Sequence, residues 1–193
     1  MKIKLLYNPF ETIPDKLLML VGIISLGIGT VISYYSQVIF DGIFDAHEFP
    51  GITFIQAFAA CVVNIVVVCI LLFALGKIIN PKTRMIDILN TSFLSRIPIY
   101  IISIIIGLPL MKKIGTKITE NLGDLPNLKF ETSELIFLLA FSFFSLFMLV
   151  YSVIILVNGF RTATNAKKWQ QYFGFAIVII IAEIASKFII SYI

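Results

Sequence analysis

Residues 88–110 read ILNTSFLSRIPIYIISIIIGLPL, and whether this stretch crosses a membrane decides the fold. It is long enough, because about 20 residues of helix cover a hydrocarbon core. It also carries Arg96 and Pro98, which an ordinary apolar span avoids. A proline inside a spanning helix is tolerated where neighbouring groups satisfy the backbone it interrupts, so it marks a kink more often than an end. The stretch is read as a span. The chain is then an all-α polytopic membrane protein, a single bundle of five transmembrane helices.

The other spans, 17–40, 52–76, 135–160 and 172–193, follow from the same length rule. Residues 135–160 contain no charge, whereas the last span is interrupted by Glu183 and Lys187. Composition agrees: 59% of the 193 residues are hydrophobic and 13% charged, with a mean hydropathy of +1.01. A soluble domain carries about 25% charged residues and needs them to cover its exterior. One membrane domain over 1–193 is expected, with 1–16 as an interfacial segment. The first apolar run starts only at Leu17 and lacks a small-x-small cleavage site, so it is expected to remain as a span. Cys61 and Cys69 share one apolar stretch, without the spacing of a redox or metal motif.

Lysine and arginine bias sets the orientation. Lys2, Lys4 and Lys16 precede the first span; Lys77, Lys82 and Arg84 follow the second; Arg161, Lys167 and Lys168 follow the fourth. The first connection, DGIFDAHEFPG (41–51), has acids and no Lys or Arg. These signals put the amino terminus in the cytoplasm and the carboxyl terminus outside. The third connection disagrees, with Lys112, Lys113, Lys117 and Lys129 on the external side. Leu110, Ile114, Ile118 and Leu122 recur every four residues there, a pattern that suits a helix lying in the interface with lysines turned to water. Were 88–110 not a span, the carboxyl terminus would be cytoplasmic, and this topology stays open.

Within the spans the polar residues are the candidate sites. A charge at mid-helix costs about 2.5–3.5 kcal/mol on insertion scales, so it snorkels, pairs or lines a wet cavity. Arg96 and Glu183 lie at depths that differ by about 4.5 Å at the rise of a helix, which suggests an ion pair between them. Lys187, one turn beyond Glu183, competes for it or joins it. Asn64 is expected to bond across helices, and Ser142, Ser145 and Ser152 share a broad polar face of the fourth span. Ser25, Gly29 and Ser33 form a close-packing ladder in the first span. Asp41, Asp45, His47 and Glu48 are weak candidates for a metal, outweighed by a solvated acidic face. No metal site, cofactor or catalytic residue is assigned: the chain has no HExxH, nucleophile–histidine spacing or phosphate loop. No basic arm or nucleic-acid module accompanies the net charge of +4, which excludes nucleic acid as a partner.

The cytoplasmic face offers YNPFETIPDK (7–16), the turn at Asn80-Pro81, and the stretch RTATNAKKW (161–169). Tyr7, Phe10, Arg161, Lys167, Lys168 and Trp169 are its candidates for contact with a protein partner or lipid headgroups. The order of NPF (8–10), ALGK (74–77) and LVNGFRTATN (156–165) within five hydrophobic segments resembles the Yip1 family, particularly its small prokaryotic branch. The resemblance implies a cytoplasmic amino terminus and a luminal or periplasmic carboxyl terminus. The three short cytoplasmic elements are too small for a catalytic domain but adequate for docking, so the expectation is a non-enzymatic organiser or adaptor of membrane components in a prokaryotic plasma membrane. Eukaryotic relatives partner Rab-type GTPases through a long polar amino-terminal region. Here only sixteen residues precede the first span, which argues against that partner. The alternative is a transporter or channel for an ion, lipid or small solute, lined by Arg96, Glu183, Asn64 and the serine face.

Overall fold

The computed structural model describes residues 2–123 and 128–193; part of the third connection thus lies outside the described residues. Five helices are long and apolar enough to cross a membrane: α2 (Asp15–Ser36), α3 (Phe54–Ile79), α4 (Met85–Ile106), α6 (Thr132–Thr164) and α7 (Trp169–Ile190). Two shorter helices, α1 (Lys2–Tyr7) and α5 (Pro109–Glu120), accompany them, with a 3-10 turn at Pro9–Glu11. The protein is an all-α, multi-spanning integral membrane bundle.

Local chemistry explains where the helices stop. α2 ends at Gln37 and α6 at Asn165, both with positive φ (56° and 54°), the left-handed conformation that closes many helices. α3 starts with reciprocal bonds between Thr53 and Gln56, which satisfy two otherwise orphaned amides. The turn from α3 to α4 is closed by the Thr83 hydroxyl, which donates to the carbonyls of Gly76 at 3.0 Å and Asn80 at 2.8 Å. α4 runs unbroken through Pro98.

α4 is the centre of the bundle and packs against α2, α3 and α6. Its crossing with α6 is close because residue 159 is glycine: a Cβ there would lie 2.3 Å from Thr91 Oγ1. Beside it the Ser152 hydroxyl donates to the Ser95 carbonyl at 2.6 Å. On the other side Tyr100 lies over Gly29 of α2, while Ser25 donates to the Gly22 carbonyl of its own helix.

At the basic end of the bundle, α1 and the 3-10 turn lie along α6. Tyr151 Oη donates to the Leu6 carbonyl at 2.7 Å, and Asn158 Nδ2 to the Tyr7 carbonyl at 3.0 Å. At the opposite end α5 buries Ile114. Its Lys113 and Lys117 reach Glu134 at 3.1 and 2.8 Å. These lysines are tied to acids at the start of α6 and are not simply turned to water.

Candidate functional site

The connection between α2 and α3 is the main departure from expectation. In place of a solvated acidic loop, it folds back between the helices. Val38–Ile39 (β1) pairs antiparallel with His47–Glu48 (β2), and Val38, Phe40 and Ile43 are buried to 0%, 0% and 1% exposure. Irregular backbone is stable at membrane depth only where protein satisfies it. Four helices do so here. The Ser33 hydroxyl (α2) donates to the Val38 carbonyl at 2.5 Å, and Asn64 Nδ2 (α3) to the Phe40 carbonyl at 2.6 Å. Arg96 Nη1 (α4) donates to the carbonyls of Gly42, at 2.9 Å, and Ile43. Glu183 Oε2 (α7) accepts from the amides of Ile43 at 2.6 Å and Phe44 at 3.1 Å.

These bonds revise the expected Arg96–Glu183 pair. Among the described residues Arg96 has no ion-pair partner. The two charges instead grip the same peptide groups from opposite sides. The Gly42 carbonyl and Ile43 amide belong to one peptide unit, the Ile43 carbonyl and Phe44 amide to the next. Each unit accepts from the guanidinium and donates to the carboxylate. Their dipoles carry the attraction between the charges, which is strengthened where the surroundings are dry. The approach requires glycine at 42: a Cβ would sit 2.1 Å from Glu183 Oε1.

Arg96 remains under-satisfied. It is 1% exposed, and its Nε and Nη2 have no hydrogen-bond partner. The rings of Phe40 and Tyr100 face it at 5.4 and 5.7 Å, a partial compensation for a charge that cannot be discharged. Asn64 Oδ1 is also buried without a partner, and the Tyr100 hydroxyl lies beside Arg96 and Cys61. Nearer the surface Lys187 Nζ binds Asp45 at 2.6 Å and lies 3.6 Å from Glu183. The hydrogen bond from Lys187 holds the Asp45 carboxyl below its ordinary range.

The buried loop has a second face. Beyond the tight crossing at Gly159, α6 and α4 part to leave a cleft of about 500 Å³. Phe44, Asp45 and Ala46 form one wall, Ile99, Ile102 and Ile106 another, and Phe141, Ser142, Ser145 and Leu149 a third. Ser145 donates to the Ser142 carbonyl of its own helix at 3.1 Å and lines this cleft. A smaller cavity of about 100 Å³ at the basic end is lined by Asp15, Arg84, Asp87 and Asn90. Arg84 joins Asp15 at 2.9 Å and Asp87 at 2.6 Å.

The remaining candidates are dispersed. Asp41 and His47 approach to 3.4 Å, Asp45 is engaged by Lys187, and Glu48 lies beside Gly115. Among the described residues no such group gathers into a metal-ligand cluster. Arg161, Lys167, Lys168 and Trp169 are exposed at the basic end. Lys167 and Lys168 also offer their amides to Gln171 Oε1, at 2.8 and 2.9 Å, which starts α7. Tyr7 is exposed, but Phe10 packs inward against the Leu18 and Phe93 cluster.

Sequence reading did not single out the folded-back backbone of 38–44, or Glu134 with its two lysines. One signal was present for the first: VIF (38–40) continues the apolar run beyond the end of α2. Comparison with family models, curated proteins and solved structures gave no match.

Proposed function

We propose that this protein is a transporter or channel that passes a solute along the polar face of α4, with the loop at 38–46 as its closed outer gate. The observation that carries this reading is Arg96: a permanent charge at mid-span, with two unpartnered donor atoms, held behind a loop whose residues 40–46 belong to no helix or strand. Intramembrane ionisable residues that face a bundle interior mark solute pathways by default. Support also comes from the buried polar residues of the helices around the loop, Thr30 and Ser33 on α2, Asn64 on α3, and Ser92 and Ser95 on α4. In this reading the basic end is cytoplasmic and the gate external, as the positive-inside bias suggests.

The test is flux from liposomes reconstituted with the protein, for chloride, phosphate and a fluorescent anionic phospholipid, against protein-free liposomes. Acceleration of at least one of them, abolished in Arg96→Gln, is the expected result. No acceleration of any overturns the proposal.

A second reading, a Yip1-type organiser or adaptor, is favoured by the exposed group Arg161, Lys167, Lys168 and Trp169. Basic residues at a membrane surface hold anionic headgroups with about 1 kcal/mol each, and the same surface suits a peripheral or membrane protein partner. Affinity purification in mild detergent distinguishes the readings. A stoichiometric partner lost on neutralising those three basic residues supports the adaptor.

A further inference from the structure

The cleft and the buried guanidinium are separated by one thin partition, and we infer that together they form a site for an amphipathic anion, a single-chain phosphate or carboxylate. The inference rests on the transport reading for the movement of the gate, and it names the ligand class.

The partition is the segment 42–46. On one side the carbonyls of Gly42 and Ile43 occupy Arg96. On the other, Phe44, Asp45 and Ala46 form a wall of the cleft. Withdrawal of this segment joins a volume of about 500 Å³, within the roughly 300–1,000 Å³ range of small-molecule sites, to a cation with unpartnered Nε and Nη2. Most of the cleft wall is aliphatic or aromatic, with hydroxyls from Ser142 and Ser145 and one acid, Asp45, already neutralised by Lys187. An alkyl chain matches that wall, and a compact mineral anion does not.

The head is specified by what Arg96 lacks. Its Nη1 contacts are two neutral carbonyls, and its remaining donors form the fork that binds phosphate or carboxylate in a bidentate manner. The Tyr100 hydroxyl, beside Arg96, supplies a neighbouring donor. Withdrawal of the segment takes the carbonyls of 42 and 43 away from Nη1, and the head of the anion then binds the fork of Nε and Nη2, which those carbonyls do not use. Opening of the gate thus precedes binding of the head. A cationic amphiphile cannot bind that fork.

The experiment is retention of radiolabelled dodecyl phosphate by the purified full chain in a neutral maltoside detergent. The expected result is saturable binding of one molecule per chain, unaffected by equal concentrations of inorganic phosphate or dodecyltrimethylammonium. Arg96→Gln is expected to weaken it about tenfold or more, the loss of a charge-assisted bond. Because that variant removes a partner of the gate, Ser145→Trp provides a test that leaves Arg96 in place. It fills the cleft and is expected to lower retention by a similar factor, whereas Phe143→Trp on the exposed side of α6 is not. Equal retention by wild type and Ser145→Trp overturns the site, as does displacement by inorganic phosphate or by the cationic amphiphile. Flux of phosphate without retention of the amphiphile overturns this site and leaves the transport reading. Retention without flux of any solute does the reverse.

Discussion

α4 and α6 are neighbours that treat their surroundings in opposite ways. α6 has a mean hydropathy of 2.5 over its most apolar window and buries 17% of it; α4 has 1.5 and buries 72%. In a soluble protein the more apolar helix would be the core. In a bilayer the surrounding lipid is as apolar as any core, so water-driven burial does not sort the two. Polar groups decide instead. Arg96, Ser92, Ser95 and Asn90 have to be withdrawn from hydrocarbon, and the apolar surface of α6 is left to face it.

Breaking that contrast at its strongest point means removing Arg96. Arg96→Leu strands the loop carbonyls of Gly42 and Ile43, while Glu183 keeps Lys187 at 3.6 Å as its counter-charge. Each buried acceptor left unsatisfied typically costs about 1–3 kcal/mol, which thermal unfolding in detergent would register as a large drop. Added to Glu183→Gln, the effect should fall short of the sum by about 1 kcal/mol or more, because both act on the same peptide groups. Simple additivity would mean that the two grips are independent.

The crossing of the helices comes next. Gly159→Ala forces the α4–α6 contact apart at Thr91 and should cost about 1–3 kcal/mol. The same measurement on Gly27→Ala, where a Cβ meets nothing within 4 Å, is the control and should cost nothing. Ser152→Ala, which deletes the bond to the Ser95 carbonyl, should cost about 0.6 kcal/mol, the average for such bonds in membranes.

The exposed side of α6 should be the least sensitive. Phe147→Leu, at a residue 66% exposed, should stay within about 0.5 kcal/mol, and a larger loss would place that side in an interface between proteins. The Asp45–Lys187 latch adds a small pH term. Asp45 titrates below its ordinary value in the folded state, so its contribution is complete above about pH 4 and disappears as the pH falls through the lowered value. Unfolding between pH 2 and 6 should show a loss at the acid end that Asp45→Asn reduces.

Much of the fold was legible because it follows from local rules. Length and hydropathy mark five helices, and Pro98 is no obstacle where α2, α3 and α6 surround it. Arg96 and Glu183 were legible as charges out of place. Their actual connection was not, since nothing in DGIFDAHEFPG distinguishes a solvated acidic loop from one folded back among helices. Gly42 acquires its meaning only from Glu183, more than a hundred residues away in sequence. Glu134 was overlooked for a similar reason: its two lysines belong to another helix.

The sequence by itself determined the class of this protein and the order of its helices, because the cost of polar atoms in hydrocarbon acts on each segment separately. Only the tertiary structure decided which helix is central, where the acidic loop goes, and that Arg96 and Glu183 meet through two peptide groups. Those choices depend on how donors and acceptors from different helices satisfy one another once they share a dry interior, and that is a property of the assembled bundle.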